Sequence, residues 1–370
     1  MSRFLPIIFC IFSAVGYGKP FRIAGIYPLT TVGHINCTCG MEAACITKAA
    51  VDRAKAEGMN VSIDVLHTDR SVFGAVEVAN KVIEKNYDAA VGTLISAEAM
   101  PVADLFENAG IPFITPTATH PQVTAGKKLV ARIPFNDFRQ AKLLARLAVG
   151  DFKAKRIAII RNSSSPYSEF LGLQFPKEVR TMNSSVFVTE FPTIDGFTDF
   201  KNLTAQIMAS KAELIFVPIS QAFIASIYAE LVTYNKPIIL LGSDTIEGKP
   251  QFIELFGTKP SKVRFIFPKH WNEKVTGPAA KRYLSLQKRY CGQYEPSMAG
   301  VAAYDAIELL LAGVRSKPGA TGVELMQSVK GLHFEGMTGP ITYGEDGDPV
   351  KPIELFQLKG GDTPHWKRYE

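Results

Sequence analysis

The chain has 370 residues, which is too long for one compact core, so two domains of ordinary size are expected. Hydrophobic residues make up 46% and charged residues 21% of the sequence, proportions typical of a well-packed globular protein. The formal net charge is +6, but lysine and arginine are interspersed with acidic residues along the chain. This distribution lacks the basic stripe of a nucleic-acid-binding protein, so no nucleic-acid partner is expected.

Residues 1–18 have the pattern of a secretory signal peptide. Arg3 precedes an apolar core at residues 4–15, and the small residues Gly16 and Gly18 suit cleavage. No other segment approaches the ~20 apolar residues that a membrane span needs. We therefore expect cleavage near residues 16–18 and a soluble mature protein outside the cytoplasm.

After this segment, apolar strand-like runs alternate with amphipathic helical runs in two series. The first series has strands at 21–28 and 61–69, helices at 41–57 and 73–85, and then the stretch 91–119. The second series has strands at 156–162, 185–192, 213–220 and 237–244, with helices at 137–151, 167–182, 197–210 and 222–234. Repeated β-α-β units predict parallel sheets covered by helices, so the fold class is α/β with two similar lobes.

The C-terminal third is harder to assign to either lobe. It contains a strand at 263–269, helices at 277–290, 298–314 and 322–329, and a strand-turn-strand segment at 339–361. These elements fit either a third unit or additions to the first two lobes.

Four cysteines lie beyond the signal segment, and an even number in an oxidising compartment indicates disulfides. They are Cys37, Cys39, Cys45 and Cys291, and they allow three pairings. Zinc bound by His34 and the first three cysteines is the alternative, but the spacing lacks the paired C-x-x-C arms of usual zinc sites. No metal is expected.

The stretch 91–119 predicts a site for a small anion. Each of its two apolar runs leads into hydroxyl residues, Ser96 after the first and Thr119 after the second. Backbone N–H groups and the helix dipole favour negative charge where a strand leads into a helix. Two such points on adjacent strands would hold a carboxylate, although each hydroxyl alone could be an ordinary helix cap.

Motifs for catalysis are absent from the sequence. It contains no G-x-S-x-G, H-E-x-x-H, P-loop or G-x-G-x-x-G phrase, and its six histidines form no ligand-like pair. We therefore expect a binding protein without a cofactor, not an enzyme.

Asp244 is the most informative acidic residue. It directly follows the apolar run 238–241, so its carboxylate should be partly desolvated and should need a cation or backbone N–H partners. Placed across a cleft from Ser96 and Thr119, it would bind an ammonium group. Together the three residues suggest recognition of an amino acid.

Several phrases in this order and spacing resemble the type I periplasmic solute-binding proteins, specifically the leucine/isoleucine/valine-binding family. They are I-A-G-I-Y-P-L-T-T at 23–31, the whole of 91–124, R-I-x-x-x-D-x-x-Q at 132–140 and M-T-G-P-I-T-Y-G-E-D-G-D at 337–348. The resemblance implies two Rossmann-like lobes joined by three hinge crossings, near 133–135, 267–269 and 339–342. It assigns residues 19–133 plus 268–338 to lobe 1 and residues 134–267 plus 339–370 to lobe 2.

The resemblance also implies a ligand site between the lobes. It implies that Ser96, Ala118 and Thr119 bind the carboxylate of the ligand and that Asp244 is the acidic residue that binds its amino group. Tyr167 is expected at the mouth of the second lobe. Ser220 and Gln221 stand where relatives often have a tyrosine against the ligand, so the side-chain preference stays open.

We therefore expect a monomeric periplasmic protein that clamps an amino acid, of an apolar or branched-chain kind, or a close analogue. Its partner would be the membrane permease of an ABC importer. The alternative is a sensory protein that reports a small carboxylate or amide to a membrane signalling partner.

Overall fold

The computed structural model describes residues 19–29, 38–246, 249–344 and 347–369. The expected signal segment, His34 and Cys37 lie outside the described residues. Within the described parts, every helix is too short or too polar to cross a membrane.

Alternating helices and strands make up the described chain. The helices are α1 (Cys39–Ala56), α2 (Val72–Glu84), α3 (Ser96–Ala109), α4 (Asp137–Arg146), α5 (Pro166–Met182), α6 (Phe200–Ala209), α7 (Gln221–Thr233), α8 (Lys249–Phe256), α9 (Pro278–Tyr290), α10 (Met298–Ser316) and α11 (Gly322–Lys330). The strands are β1 (Phe21–Tyr27), β2 (Val61–His67), β3 (Ala89–Gly92), β4 (Phe113–Thr115), β5 (Val130–Arg132), β6 (Arg156–Asn162), β7 (Phe187–Thr193), β8 (Leu214–Val217), β9 (Ile238–Gly242), β10 (Val263–Lys269), β11 (Phe334–Gly336), β12 (Gly339–Tyr343), β13 (Pro349–Val350), β14 (Ile353–Gln357) and β15 (His365–Tyr369).

The first sheet is parallel throughout, in the order β2-β1-β3-β4-β5. Successive side chains of a strand point to opposite faces. Ile23 accordingly packs in one hydrophobic core and its neighbour Ala24 in another, on the two sides of the sheet. Burial on both faces explains why these strands are continuous apolar runs.

The second sheet has the order β15-β14-β10-β9-β8-β6-β7. Its five strands β6 to β10 are parallel, whereas β14 and β15 add an antiparallel edge. Ile159 and Ile160 pack in separate cores on its two faces. The α/β class with two parallel-stranded lobes is therefore confirmed.

The chain passes between the two sets of cores three times. At each passage, two residues near each other in sequence pack in different cores: Ile133 and Phe135 at the first, Phe267 and Trp271 at the second, and Ile341 and Ile353 at the third. Lys351 lies at the third passage and donates to the carbonyl of Ile133 at the first, 3.3 Å away, and to Thr338 Oγ1 at 2.8 Å. The first and third passages are thus held close together.

The third passage lies after strand β12. Strand β12 pairs with β11 and β13 in a small antiparallel sheet, and its Ile341 is buried in the same core as Ile23. The described residues 339–344 and 347–350 therefore pack with the first sheet's core, and β14 and β15 extend the second sheet. The expected strand-turn-strand unit is split between the lobes.

A disulfide and a buried carboxylate fasten α1 to the C-terminal helices. Cys45 is bonded to Cys291, and Cys39 is also disulfide-bonded, which excludes the zinc alternative for these cysteines. Glu42 accepts hydrogen bonds from Tyr283 at 2.7 Å and from the backbone N–H of Ser297 at 3.0 Å. The first lobe is thus assembled from segments far apart in sequence.

Candidate functional site

The two predicted hydroxyl residues lie together at one edge of the first sheet. Strands β3 and β4 are adjacent and parallel, so their carboxyl ends meet. Ser96 begins α3, and its Oγ accepts a hydrogen bond from the N–H of His120 at 3.3 Å. Both Ser96 and Thr119 are buried. The expected convergence of the two strand ends is present.

Arg132 holds the backbone of the loop that contains Ala118 and Thr119. Its side chain is fully buried and donates to the carbonyls of Ala118 and His120, each at 3.0 Å. Its Nε donates to Asp348 Oδ1 at 2.7 Å. The Arg132 guanidinium therefore fixes the backbone of the loop that is predicted to bind the ligand carboxylate.

Asp348 balances the charge of Arg132 and joins further segments. Its Oδ1 also accepts from Thr124 Oγ1 at 2.8 Å, and its Oδ2 accepts from Asn136 Nδ2 at 2.6 Å. Arg132 is thus paired in the interior, where an unpaired charge would be costly.

Asp244 is also buried, and it already has partners. Gln140 Nε2 donates to Oδ1 at 2.9 Å, the Tyr167 hydroxyl donates to the same oxygen, and His270 Nε2 lies 2.7 Å from Oδ2. Burial raises the pKa of Asp244, but the hydrogen bonds from these groups and the charge interaction with His270 lower it overall. Burial lowers the pKa of His270 below its usual value, more than its contact with Asp244 raises it.

A second buried acid, Asp137, lies between the predicted carboxylate site and Asp244. Its backbone N–H donates to the carbonyl of Thr119 at 3.0 Å, and its Oδ1 accepts from Gln140 Nε2 at 3.0 Å. Burial and the nearby charge of Asp244 raise the pKa of Asp137 well above its usual value. The site therefore contains two neighbouring carboxyl groups instead of the single one expected.

Asp137, Gln140 and His270 were not predicted as site residues. The phrase R-I-x-x-x-D-x-x-Q contained the first two, at a helical spacing of three that places them on one face of α4. That spacing, directly after the expected hinge crossing at 133–135, was the signal in the sequence that could have identified them.

The other predicted site residues follow the carboxyl ends of strands β6 and β8 in the second sheet. Tyr167, on α5, reaches Asp244. Ser220 is exposed and precedes α7, which begins with the buried Gln221. Strand β8 pairs with β9, so these two residues lie at the strand end next to Asp244, and no described contact joins Ser220 to it.

Aromatic side chains give the lobes a direct contact. The ring of His120, beside Thr119, lies 5.0 Å from that of Phe170 on α5, which also contacts Phe138 at 5.0 Å. Two further aromatic residues pack with the cores: Trp271 in the first lobe and Phe223 in the second.

Comparisons with known proteins agree with this architecture. A model of the periplasmic binding protein family matches residues 20–363. The chain is 26% identical over 276 residues to a Leu/Ile/Val-binding protein of Citrobacter freundii, covering 74% of this chain and 72% of the relative.

Two solved structures show the same fold at low sequence identity. A leucine-binding protein of Thermotoga maritima has a TM-score of 0.81 at 23% identity, covering 94% of this chain and 98% of that one. A solute-binding protein of an ABC transporter from R. palustris, in complex with benzoate, has a TM-score of 0.79 at 19% identity, covering 94% and 96%.

Proposed function

The chain belongs to the periplasmic binding protein family, and we propose that it clamps an amino acid between two lobes and delivers it to the permease of an ABC importer. This proposal rests on one observation: hydrogen bonds connect the strand ends near Ser96 and Thr119 to a pair of buried acids, Asp137 and Asp244. Ser96 and Thr119 lie on one side, and Asp244 lies on the other. The names of the relatives refer to leucine, isoleucine and valine, which supports a ligand with an apolar side chain.

In this proposal, recognition needs no covalent chemistry. The Ser96 hydroxyl and the backbone of residues 118–119, next to the start of α3, would bind the ligand carboxylate, as helix starts favour anions. Asp244 and Tyr167 would face its ammonium group, and Ser220 and Gln221 would border its side chain. Closure around the ligand would exclude water and strengthen these polar contacts.

We place the lobe boundaries at the three passages of the chain. Lobe 1 would contain residues 19–133 and 268–350, and lobe 2 would contain residues 134–267 and 351–369, with the hinge around Lys351. Secretion to the periplasm, cleavage near residues 16–18 and a monomeric state stay predictions. Mass spectrometry and sedimentation of the secreted protein would test them.

The test is thermal unfolding in the presence of single amino acids, and of the same molecules without the amino group. A ligand at 100 times its Kd should add about 2.7 kcal/mol of stability. Asp244→Asn keeps the size and most hydrogen bonds of Asp244, so we expect it to fold and to lose this stabilisation by amino acids. If it is still stabilised as much as the wild type, Asp244 does not bind the ammonium group.

One contact network favours a second candidate ligand, a carboxylate without an amino group. Asp244 already accepts hydrogen bonds from Gln140 and Tyr167 and contacts His270. The fold also occurs in a protein solved with benzoate. Stabilisation of the wild type by the deaminated acids but by none of the amino acids would support this candidate and refute the amino-acid proposal.

A further inference from the structure

Asp137 and Asp244 share a single hydrogen-bond donor. The Nε2 of Gln140 lies 3.0 Å from Asp137 Oδ1 and 2.9 Å from Asp244 Oδ1, so the two carboxyl groups are close neighbours. Asp137 and Gln140 are both fully buried, and Asp244 nearly so. Two carboxylates this close cannot both ionise easily unless a cation compensates them.

The charged and titratable groups around Asp137 supply no spare cation. Arg132, on β5, is nearest, but its Nε is paired with Asp348. Tyr167, on α5, is a neutral donor to Asp244. His270, after β10, faces Asp244, and burial together with the charge of Lys351 favours its neutral form.

The two acids nevertheless have unused acceptor capacity. Asp137 Oδ2 is buried and accepts no hydrogen bond of normal geometry from the described residues, although the nearby Thr119 side chain lowers the pKa of Asp137 somewhat. A carboxylate offers about four acceptor positions. The described partners of Asp244 are three: Gln140, Tyr167 and His270. An ammonium group brings both a positive charge and three donors, which matches what the pair lacks.

We propose that Asp137 is a second acceptor for the ammonium group of the ligand, and that it gives up its proton when the ligand binds. This inference rests on the proposed function. Without ligand, the pair keeps one proton, on Asp137, because repulsion from Asp244 and burial oppose a second negative charge. The arriving ammonium supplies the compensating charge, so the proton leaves. Affinity for the amino acid should therefore rise with pH as long as Asp137 starts protonated.

The first test counts protons in the wild type. Calorimetric titration with L-leucine, or with the amino acid that stabilises the protein most, is repeated in buffers of different ionisation enthalpy. We expect up to one proton released per ligand, and none for the deaminated acid, 4-methylpentanoate in the case of leucine. If amino-acid binding releases no proton across pH 5 to 8, the inference is wrong.

The second test compares variants. Relative to the affinity for the deaminated acid, the affinity of Asp137→Asn for the amino acid should fall at least tenfold, because a charge-assisted contact is lost. Proton release on amino-acid binding should be abolished. Asp305→Asn is the matched control: Asp305 is also a buried carboxyl group with a raised pKa, and it accepts hydrogen bonds from the backbone of residues 337 and 338. It should leave the ratio of the two affinities unchanged.

The outcomes separate the two proposals. If the wild type binds no amino acid, the proposed function fails and this inference fails with it. If the wild type binds an amino acid and Asp137→Asn keeps the wild-type affinity ratio, only the role of Asp137 is refuted. If Asp137→Asn does not fold, proton release by the wild type still decides.

Discussion

Replacing Asp348 by asparagine should destabilise the protein strongly, because Asp348 is the counter-charge of the buried Arg132. The guanidinium is fully buried, and its Nε lies 2.7 Å from Asp348 Oδ1. Asn136 Nδ2 also donates to Asp348 Oδ2, and it would face a second amide donor in the variant. Removing one partner of a buried ion pair costs about 3–5 kcal/mol.

Thermal unfolding followed by circular dichroism would measure this loss. For a lobe of roughly 200 residues, 3 kcal/mol corresponds to a fall in Tm of about 6 °C or more. Binding of the amino acid should weaken as well, because Arg132 also holds the carbonyls of Ala118 and His120. The control is Glu324→Gln, which breaks the exposed pair with Lys317 and should cost about 1 kcal/mol at most.

Salt adds a second criterion. An interior pair is screened little by ions, so the fall in Tm should persist in 0.5 M salt. A loss below about 1 kcal/mol, or one that disappears at high salt, would refute the reasoning. It would mean that Arg132 does not depend on Asp348.

Two further predictions concern stability. Replacing Cys45 and Cys291 together by serine should lower the free energy of unfolding by about 2–5 kcal/mol, and an unchanged denaturation midpoint would contradict this. Burial, opposed by the charge of Arg70 and aided by that of Asp69, raises the pKa of Glu98 to about 7. Between pH 4.5 and 7 the folded protein keeps this proton and the unfolded chain loses it, so stability falls as the pH rises. Glu98→Gln should therefore stabilise the protein at pH 8 by up to about 3 kcal/mol and change little at pH 4; equal effects at both values would exclude this explanation.

The sequence predicted those features that depend on local pattern. Apolar runs separated by amphipathic helices predicted the parallel strands, and the rule that parallel strands end at one edge brought Ser96 and Thr119 together. Asp244 was identified because a carboxylate directly after an apolar run should be at least partly desolvated. Each inference needed only a few neighbouring residues.

Features that depend on distant pairings could not be predicted in this way. The partner of Cys45 lies 246 residues away, and sequence left three pairings open. The short strand β12 has a pattern that suits either lobe, and the burial of Ile341 in the first core decides its place. His270 and Gln140 reach Asp244 from separate segments, so their convergence is visible only in three dimensions.

The split of the first lobe along the chain also bears on the order of its assembly. Strands β6 to β10 lie in one continuous stretch and pair with each other, so the central part of the chain can fold as soon as it emerges. Helix α1 packs on α10, and its Cys45 bonds to Cys291, but both partners lie more than 200 residues further along the chain. Contacts that close a loop of this length form slowly. The protein should therefore assemble from its middle outward, with the Cys45–Cys291 bond among the last contacts to form.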